Sequence, residues 1–334
     1  MNNFLKSASD IADIVGQTPS SVNLKVIDHI DAAASHWLSV SPLGFFGLRN
    51  GEHPSMTIGG GAQGFTQGDG KRLRLPLDRI DLPDLLQEGA SFGSLFLAPG
   101  ICETLRINGT VQTVSESEAI IAVEECYIHC AKALIRSDFW EAHPLDETFS
   151  DEAAFVNASR FMALATFGAD GSADLSPKGD PAGKMTQMHD DTVWFADRPG
   201  NRRVDSFRNI VTQPEVVALM IVPGSTQVTI ISGRAGITTD EVARERFVVK
   251  GKTPRLATQV AKAQATLQTS AALERVNLWP LQAEAEGVRP AKILATHVKA
   301  NKRQGIGARI AAAAVSIPGL LEKNLEKDYK ENLY

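Results

Sequence analysis

The sequence has few cysteines and no marked excess of charge of either sign, and each shortage excludes a class of protein. Its 334 residues contain three cysteines, Cys102, Cys126 and Cys130, an odd number that favours a reducing cytoplasm over a disulfide framework. Acidic residues number 39 against 34 basic ones, with the signs interspersed. Neither a nucleic-acid partner nor a polybasic membrane surface is therefore expected.

Long apolar runs and common nucleotide-binding motifs are also missing. The opening stretch MNNFLKSASDIADIVG has neither a charged leader nor a continuous apolar core, so it does not predict a signal peptide. The longest stretch of small apolar residues, 305–321, is interrupted by Arg309 and Pro318 and is too short to span a bilayer. No GxGxxG or Walker motif follows a strand-like run. We expect a cytoplasmic protein without a membrane partner.

One cluster of candidate metal ligands, Cys126, His129 and Cys130, lies in the stretch IIAVEECYIHC. The stretch alternates like a β-strand, so neighbouring side chains leave on opposite faces, and no second cysteine or histidine pair lies near it in the sequence. We therefore expect buried thiols beside a functional or structural histidine, and no metal site.

An internal repeat is the most informative feature that is present. Residues 92–111, FGSLFLAPGICETLRINGTV, align with residues 216–235, VVALMIVPGSTQVTIISGRA. In each copy a Pro-Gly pair separates two strand-like runs, which predicts a repeated β-hairpin. The alignment extends upstream, where 55–65 matches 174–184, and downstream, where HCAKALIRSDFW (129–140) matches SAALERVNLW (270–279).

The many short strands and sparse helices of each copy predict a mainly β protein of two tandem barrels. We place the first domain at 20–148, the second at 149–282 and a helical C-terminal extension at 283–334. The extension follows the end of the repeat and alternates Glu and Lys, so we expect a cap or interface element without chemistry.

The second copy carries a cluster of cations on two segments, SPKGDPAG (176–183) and RPGNRR (198–203). The second segment enters a predicted helix at Asn201, and a helix amino terminus beside arginines is a natural site for an anion, most simply a phosphate. The alternative is a solvated basic loop whose asparagine caps the helix.

These two segments, the Pro-Gly hairpin and HCAKALIRSDFW together resemble the pyridoxamine 5'-phosphate oxidase-like family of FMN-binding split barrels, over most of residues 20–280. The resemblance implies six-stranded antiparallel barrels of Greek-key type, usually paired as a homodimer with two FMN sites at the interface. By position it implies FMN contacts in three groups: Leu175, Ser176 and Lys178 beside the flavin and phosphate, Phe195 and Ala196 along the ribityl chain, and Asn201, Arg202 and Arg203 on the phosphate.

The two copies depart from that pattern in complementary ways. In the first copy Gly59 stands opposite Lys178, and the acidic segment LDRIDLPD (77–84) replaces RPGNRR. In the second copy TSAALERVNLW lacks the counterparts of His129 and Lys132. We therefore expect a fused pseudo-dimer with one composite site, in which the second half binds the phosphate and the first half supplies His129, Lys132 and Arg136.

A simpler interpretation of HCAKALIRSDFW is that Leu134 and Trp140 are core residues and its charges only cap a helix. It explains why a tryptophan ends both copies, at 140 and 279. It does not explain why one copy has lost its cations.

The resemblance implies an FMN-dependent oxidoreductase that acts on a small molecule or reduces flavin with NAD(P)H. His129 is then the candidate for proton transfer near neutral pH, and Lys132 or Arg136 the candidates that stabilise negative charge on the reduced ring. The alternative is a non-catalytic protein that stores or senses a flavin or a haem, and a purely structural pseudo-dimer is a third interpretation. The substrate and any further homodimer stay open.

Overall fold

A computed structural model describes residues 3–200, 202–301 and 319–334, without the side chains of Ser20, Ser21 and Leu320. The described chain forms two antiparallel seven-stranded sheets, one from each half of the sequence, with short helices packed around them. The predicted fold class, mainly β with two tandem split barrels, is confirmed. No helix in these ranges is long and apolar enough to cross a bilayer.

The first sheet has the strand order β2-β1-β5-β6-β7-β4-β3. Its strands are β1 Leu43–Asn50, β2 His53–Gly60, β3 Gln67–Asp69, β4 Arg72–Pro76, β5 Ser91–Leu97, β6 Thr104–Val114 and β7 Glu118–His129. The predicted Pro-Gly turn at 99–100 connects β5 to β6, whose residues pair in antiparallel register from Leu97↔Thr104 to Ser91↔Thr110.

The second sheet has the order β10-β11-β14-β13-β12-β8-β9, which is the order of the first sheet, read from its other end, with seven added to every strand number. Its strands are β8 Phe161–Phe167, β9 Ala173–Gly179, β10 Thr186–His189, β11 Thr192–Ala196, β12 Glu215–Ile221, β13 Gln227–Thr238 and β14 Ala257–Thr269. The repeat in the sequence is therefore a repeat of topology. Each copy has seven strands where the resemblance implied six, because a short edge strand, β3 or β10, forms a hairpin with β4 or β11.

Short helices connect and cover the sheets. They are α1 Ala8–Val15, α2 Ala32–Val40, α3 Lys132–Arg136, α4 Glu152–Ala158, α5 Asp205–Thr212, α6 Glu241–Glu245, α7 Ala271–Val276, α8 Pro290–Ala300 and α9 Leu320–Glu331. Five of them begin after a serine or aspartate whose side chain accepts a backbone N–H of the first turn: Ser7, Asp31, Asp151, Asp240 and Ser270. Such caps satisfy amide groups that the helix itself leaves unbonded.

The hydrophobic core has three parts, one on each sheet and one between the two halves. The central part contains Trp140 from the first half and Trp279 from the second, and both rings pack near Phe139. The Trp279 indole N–H donates to the carbonyl oxygen of Phe139 at 2.7 Å. Leu134 and Trp140 are thus core residues, and this accounts for the tryptophan that ends each copy.

The halves also exchange helices across their interface. The first half's α3 packs on β9 of the second half, and the second half's α7 packs on β2 of the first. The contact of α3 with β9 is close: a Cβ at Gly179 would lie 1.9 Å from the carbonyl oxygen of Ala133. The chain is folded like a dimer whose two subunits have been joined.

Candidate functional site

A cavity of about 660 Å³ lies where α3 of the first half meets β9 of the second. His129, Lys132 and Arg136 line it from the first half. Ser176, Lys178, Ala196, Arg202 and Arg203 line it from the second half. Eight of the eleven residues expected from the sequence are therefore brought to one cavity, and the cavity is composite.

The other three expected residues do not line the cavity with their side chains. Leu175 is fully buried in the core between the halves, because alternate residues of β9 point to opposite faces and Ser176 and Lys178 take the cavity face. Phe195 is buried in the core of the second sheet, where its ring lies under the Lys178 ammonium group. Asn201 lies outside the described residues.

Positive charge dominates the cavity wall. Eight lysine and arginine side chains line it against three carboxylates, Asp180, Asp197 and Asp328. Three of these cations were not among the expected contacts: Arg198, Lys252 and Arg255. Burial raises the pKa of Asp180 and of Asp197, which weakens the negative charge available inside the site.

Some of these cations have protein partners and some do not. Arg198 donates to Asp180 at 2.5 Å, and Lys132 lies 2.8 Å from Asp328. Lys178 has no hydrogen-bond acceptor or carboxylate partner within the described ranges; its Nζ lies 5.6 Å and 5.4 Å from the ring centroids of Phe195 and Phe207. Burial lowers the pKa of Lys178. The Nη2 atom of Arg198 is likewise buried without a partner among the described residues. The site therefore has cationic donors that an anion would satisfy.

Helix α5 begins at Asp205, four residues later than the predicted start at Asn201. Arg202 has a φ of 59°, in the left-handed region, so the helix cannot extend through it. No side chain caps the amino terminus of α5, and Val204, Ser206 and Phe207 from this end line the cavity. The first-turn amides and the preceding arginines thus face the same space, which suits an anion.

His129 is held neutral at pH 7. Burial lowers its pKa well below the ordinary value, and the positive charges of Arg106 and Lys25 act in the same direction. Its Nδ1 atom is buried without a hydrogen-bond partner in the described part of the chain. The expectation that His129 titrates near neutral pH does not hold for the protein without a ligand; the ring can still donate or accept one hydrogen bond.

A buried polar network beneath the cavity joins the two halves. Arg106 on β6 pairs with Asp174 on β9, and its guanidinium also donates to the Tyr127 hydroxyl at 2.8 Å. Ser176 donates to Asp174 at 2.8 Å, so its hydroxyl is fixed at the edge of the cavity. Sequence reasoning missed Arg106 because it lies in a hairpin strand without a recognisable motif around it.

The position related to this cavity by the internal repeat is filled by the chain itself. A Cβ at Gly59, the counterpart of Lys178, would lie 2.4 Å from Cδ1 of Ile80. Asp81 accepts hydrogen bonds from the Ser270 hydroxyl and the Ala272 amide, so a carboxylate occupies the amino terminus of α7. Arg275 donates to the carbonyl oxygens of Gly60 and Arg79. The two halves therefore do not form equivalent sites.

The C-terminal extension reaches the cavity. Asp328, Asn332 and Tyr334 line it together with the two halves. The expectation that this extension has no part in the site is therefore corrected: a helix with an exposed Glu/Lys face still brings its less regular end to the cavity. Its contribution had no counterpart in the repeat from which the site was predicted.

The fold and site define a tandem split-barrel protein with one cationic, composite cavity. Residues 151–284, which contain the whole second sheet, match the family model described as Pyridoxamine 5'-phosphate oxidase. The family predicted from the sequence is thus confirmed over this stretch, and the repeated topology fits a tandem arrangement. No curated protein matches the chain.

Solved structures with similar folds include three bacterial proteins. A putative pyridoxamine 5'-phosphate oxidase from Lactobacillus delbrueckii is 17% identical, covers 38% of this chain and 100% of its own, and has a TM-score of 0.28. HupZ from Group A Streptococcus gives 16%, 36%, 100% and 0.30. HutZ, the haem storage protein from Vibrio cholerae, gives 10%, 35%, 89% and 0.25. Each spans about one half of this chain.

Proposed function

We propose that the cavity binds FMN and that the protein is an FMN-dependent oxidoreductase. The observation that carries the proposal is the buried ammonium group of Lys178, which lacks an anionic partner in the described residues and faces a cavity rich in arginine. Lys178, Arg202 and Arg203 hold the phosphate, near the uncapped amino terminus of α5.

The size and composition of the cavity fit such a ligand. Its volume of about 660 Å³ lies within the range of about 300–1,000 Å³ that is usual for small-molecule sites. Phe207 and Tyr334 give it aromatic surface, and the cations are gathered on the loop before α5 and on α3. A phosphate ester with a flat ring system uses both kinds of surface.

FMN supplies hydride transfer, and the chain supplies binding and electrostatics. Lys132 and Arg136 place positive charge on the first-half side of the cavity, where it stabilises an anionic ligand. His129, held neutral, offers one hydrogen bond rather than a charge. The substrate is a small molecule, with NAD(P)H as the candidate electron donor.

A comparison of FMN with riboflavin tests the cofactor assignment. Two or more charge-assisted hydrogen bonds to the phosphate, at about 1.5–3 kcal/mol each, make FMN bind at least about 100-fold more tightly. Titration of the cofactor-free protein with each flavin, followed by absorbance or calorimetry, measures the ratio. Equal affinities would remove the phosphate assignment.

A second candidate function, haem binding, is favoured by one observation. His129 is neutral and its Nδ1 is unpaired within the described chain, and neutral imidazole is a common haem ligand. The absorption spectrum of the purified protein separates the candidates, because a flavin and a haem have different bands. Anaerobic bleaching of bound flavin by NAD(P)H then distinguishes an oxidoreductase from a storage protein.

A further inference from the structure

The segment 319–334 is attached to the cavity through contacts with both halves. Asp328 pairs with Lys132 at 2.8 Å, and the Tyr329 hydroxyl donates to Glu103 at 2.9 Å, both on the first half. Lys252 of the second half donates to the main-chain oxygen of Tyr334 at 2.6 Å. The segment is therefore held in a defined position relative to the cavity wall.

Arg136 fixes the end of this segment most directly. Its Nε donates to the carbonyl oxygen of Leu333 at 2.6 Å, and its Nη2 donates to that of Pro199 at 2.7 Å. One guanidinium from the first half thus joins residues 333–334 to the cation-rich loop of the second half.

The ring of Tyr334 lies among three cations at the cavity. The charged groups of Arg136, Arg198 and Lys250 lie 5.5, 5.6 and 5.4 Å from its centroid. Such contacts favour an electron-rich ring at this position. Phe207 and Tyr334 are the two phenyl-type rings among the described lining residues, and Tyr334 is the one with a phenol.

We propose that Tyr334 is the stacking residue of the cavity, against which the flat ring system of the ligand lies. The cavity has its volume of about 660 Å³ with Tyr334 in place, so the ring is a wall of the site. Offset stacking on an aromatic side chain contributes binding beyond the area it covers. The site then has three contributors: the two halves and the segment 328–334. The inference rests on the proposed binding of FMN.

Substitutions at Tyr334, with Tyr329→Phe as the matched control, test this inference. A phenol stacked on a flavin quenches the flavin's fluorescence, and a phenyl ring does not. We expect Tyr334→Phe to raise the fluorescence of bound FMN severalfold and to leave its Kd within about twofold. Tyr334→Leu removes the ring and should weaken FMN about tenfold. Tyr329→Phe, on the same helix, should change neither quantity.

Two results would overturn the inference while leaving FMN binding intact. One is a Tyr334→Phe protein whose bound FMN is as strongly quenched as in the wild type. The other is a Tyr334→Leu protein that binds FMN as tightly as the wild type or more tightly, the latter meaning that the ring competes with the ligand for the cavity. A wild-type chain that binds no FMN would instead overturn the proposed function and this inference with it. Equal melting temperatures of the variants show that the fold is unchanged.

Discussion

Lys178 shows how burial gives one residue its role. Its stem lies between the rings of Phe195 and Phe207, and burial lowers its pKa, so the charged form has a cost in the absence of an anion. A bound phosphate offsets that cost. The sequence identified this lysine as a candidate because of its segment, but the missing partner is visible only in the fold.

Lys178→Met keeps most of the apolar stem and removes the charge. We expect the variant to bind FMN about 10- to 100-fold more weakly, the loss of one charge-assisted hydrogen bond, with riboflavin affinity unchanged. Lys299→Met, at an exposed position of α8, is the control and should bind both flavins normally. A variant that binds FMN as well as the wild type would show that Lys178 does not contact the phosphate.

The same residue predicts the pH dependence of binding. Because its pKa lies below the ordinary lysine value, Lys178 in the free protein loses its proton at lower pH than an exposed lysine does. FMN affinity should therefore fall as pH rises through that lowered pKa. Titrations of the wild type across the alkaline range should show the fall, and Lys178→Met should lack it.

At the scale of elements, the site depends on how α3 is seated on β9. Gly179 allows this contact because any side chain there would meet the backbone of Ala133. Lys132 and Arg136 are on the seated helix, and Ser176 and Lys178 are on the strand beneath it. A displacement of one element from the other separates the two groups of cations.

Gly179→Ala should therefore destabilise the protein by about 1–3 kcal/mol, the usual cost of overpacking, and weaken FMN binding. Gly61→Ala is the matched control, because a Cβ there meets its nearest atom at an ordinary 3.4 Å. Thermal melts and FMN titrations of both variants measure the two effects. Normal stability and affinity in Gly179→Ala would contradict the close contact of α3 with β9.

For the whole molecule, the repeat predicted the architecture well. Aligned Pro-Gly turns and a shared tryptophan are local signals, and two hairpin-rich copies of one pattern specify two copies of one sheet. The loss of Lys178's counterpart and the acidic 77–84 segment also predicted the asymmetry that Ile80 and Asp81 now explain.

The parts of the site that escaped prediction are those without a partner in the repeat. Tyr334 and Lys252 come to the cavity through tertiary packing alone, from positions distant in sequence from both cation segments. The inward direction of Leu175 depends on which face of β9 meets the core, and a short strand that is apolar at both ends does not specify this.

The central claim is that the two halves form one competent site between them, and the number of FMN molecules bound per chain tests it most directly. The cofactor-free protein, titrated with FMN and then extracted and quantified against its protein concentration, should bind one equivalent. One equivalent follows from a cationic cavity on one side and a position filled by Ile80 and Asp81 on the other. Two equivalents, or none at micromolar FMN, would contradict the account.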